Sequence, residues 1–178
     1  MTTAPAATLV SRPLAEGRLE EDRRFEAFYR HHAPYVAGVV FRLIGRDGDI
    51  DDVVQDTFVA ASSHLHQLKD AGAARAWLVA IAVRRVKRYL ARRHRRRLLA
   101  FHIGEIAPQA SDPRDRRAVD ELYDALDRLP PDLRIPWVLA RVEQFTLPDV
   151  AALCRVSLAT VKRRIVDSEQ FLQRMLRP

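Results

Sequence analysis

Residues 146 to 171 read TLPDVAALCRVSLATVKRRIVDSEQF. Thr146 followed three residues later by Asp149 makes a capping box with Asp in the Glu position. Pro148 suits a first helical turn, so the spacing predicts a short helix running to about Leu153. Cys154, Arg155 and Val156 then form a joint, and Ser157 caps a second helix. On that helix Leu158, Val161, Ile165, Ser168 and Leu172 make an inward stripe, while Ala159, Lys162, Arg163 and Val166 make an outward one. Two short helices, a tight turn and a cationic outer stripe are the plan of a helix-turn-helix that enters a DNA major groove. An ordinary helical hairpin with a solvated basic face shares the pattern. Arg155 stands where such turns often use Gly in the left-handed region, but one unfavourable backbone position costs only about 1 kcal/mol.

Upstream, Val119, Leu122, Tyr123, Leu126 and Leu129 keep helical spacing, Pro130 and Pro131 interrupt it, and Leu133 to Val142 resume it. Pro136 should sit in a first turn or bend that helix. Between Arg97 and Arg117 the periodicity lapses among Gly104, Pro108, Ser111, Asp112 and Pro113, which reads as a flexible linker. Before it, Phe25, Phe28, Tyr29, His32, Val36, Val39, Val40, Leu43 and Ile44 recur at threes and fours on one long helix, with Pro34 a candidate kink. Val54, Phe58, Ala61, Leu65 and Leu68 form a second seam, and Trp77, Leu78, Ile81, Ala82, Arg85 and Tyr89 mark the inner side of a third helix from about Ala73 to Arg93. No segment alternates like a strand. The expectation is an all-α chain of two small helical domains joined by a flexible linker: a mobile arm over 1–22, a first domain over 23–96, the linker over 97–117 and the helix-turn-helix domain over 118–178.

Charge sharpens the reading. The 30 Lys+Arg exceed the 23 Asp+Glu, giving net charge +7, a balance that suits a polyanionic partner. Nine of those cations lie in the run RRVKRYLARRHRRR, Arg84 to Arg97, without which the chain would be net negative. Such a concentration repels itself unless phosphates or an acidic surface lie nearby. A merely solvated charged face is the bland alternative. Acids cluster at Asp47, Asp49, Asp51, Asp52 and Asp56, but a calcium loop would need Gly where Asp52 stands and Glu where Phe58 stands. Asp49 and Asp51 suit a helix N-terminus. Asp52, Gln55, Asp56 and Val59 fall together on the polar face of the second helix, which that explanation does not cover.

Several chemistries lose their footing. The lone Cys154 excludes a disulfide framework and a CxxC zinc site, and points to a reducing, cytoplasmic setting. The six His offer no i, i+4 pair and no H-E-x-x-H string, so no metal and no catalytic residue is nominated. With 6 Gly and no Gly-rich phosphate loop, a nucleotide cofactor is not expected. No apolar run approaches the roughly 20 residues of a membrane span, and Met1 to Gly17 lack the order of a secretory signal.

Three strings fall in order: Asp51-Asp52-Val53-Val54-Gln55-Asp56-Thr57-Phe58, then Trp77-Leu78-Val79-Ala80-Ile81-Ala82 running into the basic helix, then Leu129-Pro130-Pro131 followed by Ser157-Leu158-Ala159-Thr160-Val161-Lys162-Arg163-Arg164. Over about residues 24 to 176 the chain resembles a bacterial RNA polymerase sigma factor of the extracytoplasmic-function (ECF) group of the sigma-70 family. The resemblance implies that Asp52, Gln55 and Asp56 bind core RNA polymerase. It implies that the melted −10 promoter strand is taken by the loop around Leu68 to Ala74 and by Arg84, Arg85, Lys87 and Arg88; many relatives carry aromatics where this chain has Leu68 and Ala74. It also implies a −35 reader with Ser157 at the helix N-terminus, Thr160 and Arg164 near phosphate, and Lys162, Arg163 and Val166 at base edges. The implied partners are core RNA polymerase, promoter DNA and an anti-sigma factor, with no catalysis by the chain itself. Two rival readings share parts of the pattern. A stand-alone helix-turn-helix DNA-binding regulator leaves the Asp52/Gln55/Asp56 face without a task. A metal-dependent nuclease needs acids that converge, whereas helical phase spreads these around a helix end.

Overall fold

A computed structural model describes the backbone of residues 12–45, 49–103 and 117–176, and the side chains of 19–45, 49–96 and 119–176. In chain order the described α-helices are α1 (Arg12–Ile44), α2 (Ile50–Ser62), α3 (Ala74–Ile103), α4 (Arg117–Arg128), α5 (Pro131–Arg141), α6 (Leu147–Cys154) and α7 (Leu158–Met175). Two single-turn 3-10 helices, Leu65–Gln67 and Ala71–Ala73, bridge α2 and α3. No strand occurs among the described residues, as the all-α expectation requires.

Three boundaries differ from the sequence reading. Residues 12–22, expected as an arm, belong to α1. Pro13 falls in the first turn and Leu, Ala, Glu and Arg, all good helix formers, follow it, so the long helix propagates backward without an apolar stripe. α3 runs past Arg97, where the linker was expected to begin, to Ile103; positions 1–11, 46–48 and 104–116 lie outside the described residues. Leu65 and Leu68 do not extend α2, which stops at Ser62. There the Ser62 hydroxyl donates to the Val59 carbonyl (2.9 Å) and His64 Nδ1 meets the Ala60 carbonyl (3.0 Å), so side chains take carbonyls that a further turn would have used.

The chain divides into two units, Met1–Tyr35 and Val36–Pro178. In the first, Phe25 and Phe28 are half-buried, His32 is buried, and the Phe28 and His32 rings stand 4.5 Å apart. Arg30 and Glu26 pair at 2.6 Å one turn apart. In the second, Val36, Val39, Val40, Leu43 and Ile44 of α1, Val53, Val54, Phe58 and Ala61 of α2, and Leu78, Val79, Ile81, Ala82, Val86 and Leu90 of α3 are buried. Each large aliphatic or aromatic side chain so removed from water contributes roughly 1.5–3 kcal/mol. Further along, Leu126, Leu129, Ile135, Val138, Leu139, Val150, Leu153, Val161, Ile165 and Leu172 are buried where α4 to α7 pack on one another, and α3 packs on α5 and α6. The buried Ser168 hydroxyl lies 2.7 Å from the Arg164 carbonyl and 3.0 Å from that of Leu133, tying α7 to α5. Pro131 opens α5, while Pro136 sits beyond its first turn and removes the N–H that Asp132's carbonyl would otherwise accept.

Candidate nucleic-acid interface

The α6–α7 pair forms as its caps dictate. Thr146 Oγ1 accepts from the Asp149 N–H (3.4 Å) and donates to the Asp149 carboxylate (2.6 Å). α6 ends in a Schellman arrangement in which Val156 N–H donates to the Ala151 carbonyl (3.0 Å) and Arg155 N–H to that of Ala152 (3.2 Å). This places Arg155 at φ 55°, ψ 49°, the left-handed conformation the sequence reading attached to that position. Ser157 Oγ accepts the Thr160 N–H (3.2 Å) and lies 2.9 Å from the Thr160 hydroxyl. Ser157 and Thr160 therefore build the helix N-terminus before they meet any ligand.

On α7, Val161, Ile165, Ser168 and Leu172 are buried as the period requires. Leu158 is not: it is 39% exposed at the first position of the helix. Lys162, Arg163 and Val166 are exposed on one stripe, and Arg164 is half-buried with its guanidinium 3.6 Å from Asp132. The outer stripe thus offers two free-standing cations and an apolar methyl pair to a groove, with Arg164 set back at its edge.

Cations of α3 point several ways. Arg84, Lys87 and Arg88 are exposed and Arg85 is half-buried. Arg93 turns inward: its Nη1 donates to the Ile44 carbonyl (3.1 Å) and its Nη2 to Asp127 (2.6 Å). Between α3 and the α5–α6 pair lies a cleft of about 270 Å³ walled by Arg84, Lys87, Arg155 and Arg164, with Asp132 its one acid. Partial burial, and then the neighbouring Arg155, Arg85 and Arg88, hold the Arg84 guanidinium below its ordinary value. Such crowding favours a nearby anion. In the α2–α3 connection Leu68 is half-buried, while Ala74 is 1% exposed, so the Ala74 side chain is not presented to a ligand. Gln67 and Lys69 are exposed there, as are Ser63, His64, His66 and Asp70, and the first two could serve a single-strand contact. The sequence reading placed a strand-binding loop at about Leu68 to Ala74 but named only Leu68 and Ala74 in it, and it ran the apolar seam of α2 through Gln67.

The acidic strip sits on α2. Asp52, Gln55 and Asp56 are exposed alongside Val59, which is 61% exposed, while Val53, Val54, Thr57 and Phe58 face inward. None of the three polar residues has an ion-pair partner among the described residues. Asp51 and Asp52 occupy the first turn of α2, where the helix dipole favours them. Among the described residues no three His, Cys, Asp or Glu side chains come together in a way that could hold a metal ion. Cys154 is half-buried, and desolvation pushes its thiol up to about 11, against the opposing pull of Arg164 and Lys87. No described helix is long and apolar enough to cross a membrane.

Sequence reasoning missed the carboxylates that order these cations. Arg134 is 1% exposed and rests on Asp127, which also holds Arg93. Asp132 sits between Lys87 (2.7 Å) and Arg164 (3.6 Å). The one available signal was phase, since Arg134 falls in register with the apolar Val138, a position that demands an internal carboxylate.

The family model for sigma-70 region 2 matches residues 28–96, and that for sigma-70 region 4 matches residues 120–172. The chain is 30% identical over 159 residues to the RNA polymerase sigma factor CarQ of Myxococcus xanthus, covering 85% of this chain and 88% of that one. It is 28% identical over 163 residues to the ECF RNA polymerase sigma-E factor of Escherichia coli, covering 84% and 83%. Among solved structures it resembles CnrH in complex with the cytosolic domain of CnrY, with 25% identity, TM-score 0.57 and coverage of 87% and 88%. The sigma factor RpoE bound to the anti-sigma factor NepR from Bartonella quintana shares the fold, with 24% identity, TM-score 0.63 and coverage of 86% and 97%. With both conserved-region models matched in order and a relative of the same name class spanning most of its length, the chain belongs to the sigma-70 family as an ECF RNA polymerase sigma factor.

Proposed function

We propose that this ECF sigma factor grips core RNA polymerase through Asp52, Gln55 and Asp56 of α2. The observation that carries the assignment is the strip itself: three exposed polar side chains and the exposed Val59 share one face that the other described residues leave uncovered. A stand-alone regulator has no use for such a face. Arg84, Arg85, Lys87 and Arg88 then hold the backbone of the melted −10 strand, with Leu68 and its exposed neighbours Gln67 and Lys69 beside the bases. Lys162, Arg163 and Val166 read −35 base edges, and Ser157, Thr160 and Arg164 serve the adjacent phosphates. The polymerase-binding and −10 half is assigned to residues 23–96 and the −35 half to 118–178.

Catalysis of RNA synthesis stays with the polymerase, and the protein acts in the cytoplasm. One of the solved relatives is bound to an anti-sigma factor. An equivalent partner is proposed to hold this chain inactive by covering the polymerase-binding face. The deciding experiment is co-elution with core RNA polymerase at moderate salt, comparing wild type with an Asp52→Ala/Gln55→Ala/Asp56→Ala variant. Stoichiometric co-elution that the variant loses supports the assignment; equal co-elution of the variant moves the polymerase contact elsewhere.

A further inference from the structure

The cleft of about 270 Å³ between α3 and the α5–α6 pair has a lining of two contrasting kinds. Most of it is apolar: Val83 of α3, Ile135 and Pro136 of α5 and Leu153 of α6 are buried, and Pro131 and Val156 join them. The polar remainder is cationic. Arg84, Lys87, Arg155 and Arg164 meet there from α3, the α6–α7 turn and α7, against the single carboxylate of Asp132. That carboxylate is already engaged, 2.7 Å from Lys87 and 3.6 Å from Arg164. Arg84 and Arg155 are left over: among the described residues neither guanidinium has an ion-pair or hydrogen-bond partner. After burial, Arg155 is the neighbour that does most to hold Arg84 below its ordinary value, so two like charges face one another with nothing between them.

Arg155 is unusual in its backbone as well. Its φ of 55° lies in the left-handed region, where Gly is unstrained and a longer side chain is not. Gly at this position would complete the turn and also remove the repulsion on Arg84, so the turn gains nothing from an arginine. Residues kept in sparsely populated backbone regions gather at ligand clamps. The guanidinium of Arg155 serves the cleft rather than the fold.

The lining also selects the chemistry of an occupant. Two unmatched guanidiniums call for an anion with at least two charges, because a single charge leaves them in net repulsion. The apolar walls call for a flat, weakly polar body attached to that anion, since they offer contact area and little hydrogen bonding. The volume lies at the small end of ligand sites, which run from about 300 Å³ upward, and admits one nucleoside-sized body.

We propose that this cleft binds a small organic phosphate of the nucleoside diphosphate class, with its phosphates on Arg84 and Arg155 and its base against the apolar lining. Arg155 has no DNA role in the assignment above, and the site does not depend on that assignment.

Titration calorimetry of the full chain with guanosine diphosphate, inorganic pyrophosphate and guanosine tests it, the last two carrying the charge and the body alone. The diphosphate should bind saturably to a single site, and each fragment about tenfold or more weakly. Arg155→Gly, which keeps the left-handed turn, and Arg84→Gln should each weaken the diphosphate by about tenfold. Arg128→Gln, which removes an exposed cation of α4 outside the cleft, should leave it unchanged. In amide NMR spectra of the wild type the diphosphate should move the signals of Arg84, Leu153 and Val156. Absence of saturable binding, an equal loss in Arg128→Gln, or shifts confined to the outer stripe of α7 overturns the proposal. Pyrophosphate binding as tightly as the diphosphate refutes the nucleoside class, because the apolar walls then contribute nothing.

Discussion

The guanidinium of Arg134, 2% exposed at its side chain, rests on the carboxylate of Asp127 seven residues earlier in the chain. Burial pulls this arginine below its ordinary value, and Asp127 opposes that pull. Taking away the carboxylate leaves a charge in a dry site, a change that costs about 3–5 kcal/mol, whereas replacing both partners with apolar side chains of similar volume is often neutral. Asp127→Ala should therefore lower stability by roughly that amount, and Asp127→Leu/Arg134→Met should recover most of it. Urea unfolding followed by circular dichroism measures both. A double variant no better than the single one would show that the pair itself, and not the orphaned charge, carries the energy.

Arg155 offers a second stability test, because its left-handed backbone suits Gly and opposes branched side chains. Arg155→Gly is expected to be neutral or stabilising by up to about 1 kcal/mol, since relief of backbone strain is partly offset by the greater freedom of Gly when unfolded. Arg155→Val should cost more than about 1 kcal/mol. Ser157→Ala, which removes the cap of α7, should cost about 1 kcal/mol. Thermal melts of the three variants give the ordering directly.

The parts of this molecule legible in the sequence are those set by local period and by caps. The stripe Val161, Ile165, Ser168 and Leu172 and the caps at Thr146 and Ser157 follow from residues a few positions apart, and the structure has them. Leu158 was misread because period alone does not say where a helix begins to be covered. Arg93 looked like one more cation of a basic run, yet Val86 and Leu90 of the buried face share its phase, and it reaches Ile44 and Asp127. Contacts such as Arg42 with Glu143 or Lys87 with Asp132 span long stretches of chain and leave no periodic trace. The exposed strip of Asp52, Gln55 and Asp56 was visible as a polar face, but the part proposed for it came from resemblance.

Cys154 should be inert toward electrophiles in the native state. Its thiol is pushed up to about 11 by burial, about two units above its reference value, so the thiolate is roughly a hundredfold scarcer at pH 8 than in the unfolded chain. Reaction with a maleimide or an aromatic disulfide should be slow in buffer and fast in urea. Because the native thiol holds its proton more tightly, its contribution to stability is complete below the unfolded thiol's value. It declines as pH rises from there through about 11. Comparing unfolding of wild type and Cys154→Ala across that window isolates the effect. Native labelling as fast as in urea would mean that the thiol is solvated.

On the proposed function, the stripe on α7 separates base readers from phosphate holders. Arg163 and Lys162 are exposed and unpaired among the described residues, while Arg164 is set back against Asp132. If Arg163 meets a guanine edge, Arg163→Ala should weaken holoenzyme binding to a matched −35 element by about 1–3 kcal/mol and relax preference at a single base pair. Val166→Ala should act the same way at a thymine, through its methyl group, with a smaller loss. Arg164→Ala should instead weaken matched and mismatched elements alike and make the slope of log affinity against log salt shallower by about one. Binding of the reconstituted holoenzyme to a mapped promoter and to single-base variants of its −35 element, at several salt concentrations, resolves the two patterns. Arg163→Ala losing affinity equally for every variant would place that side chain on the phosphate backbone, and would leave Lys162 and Val166 as the base readers of α7.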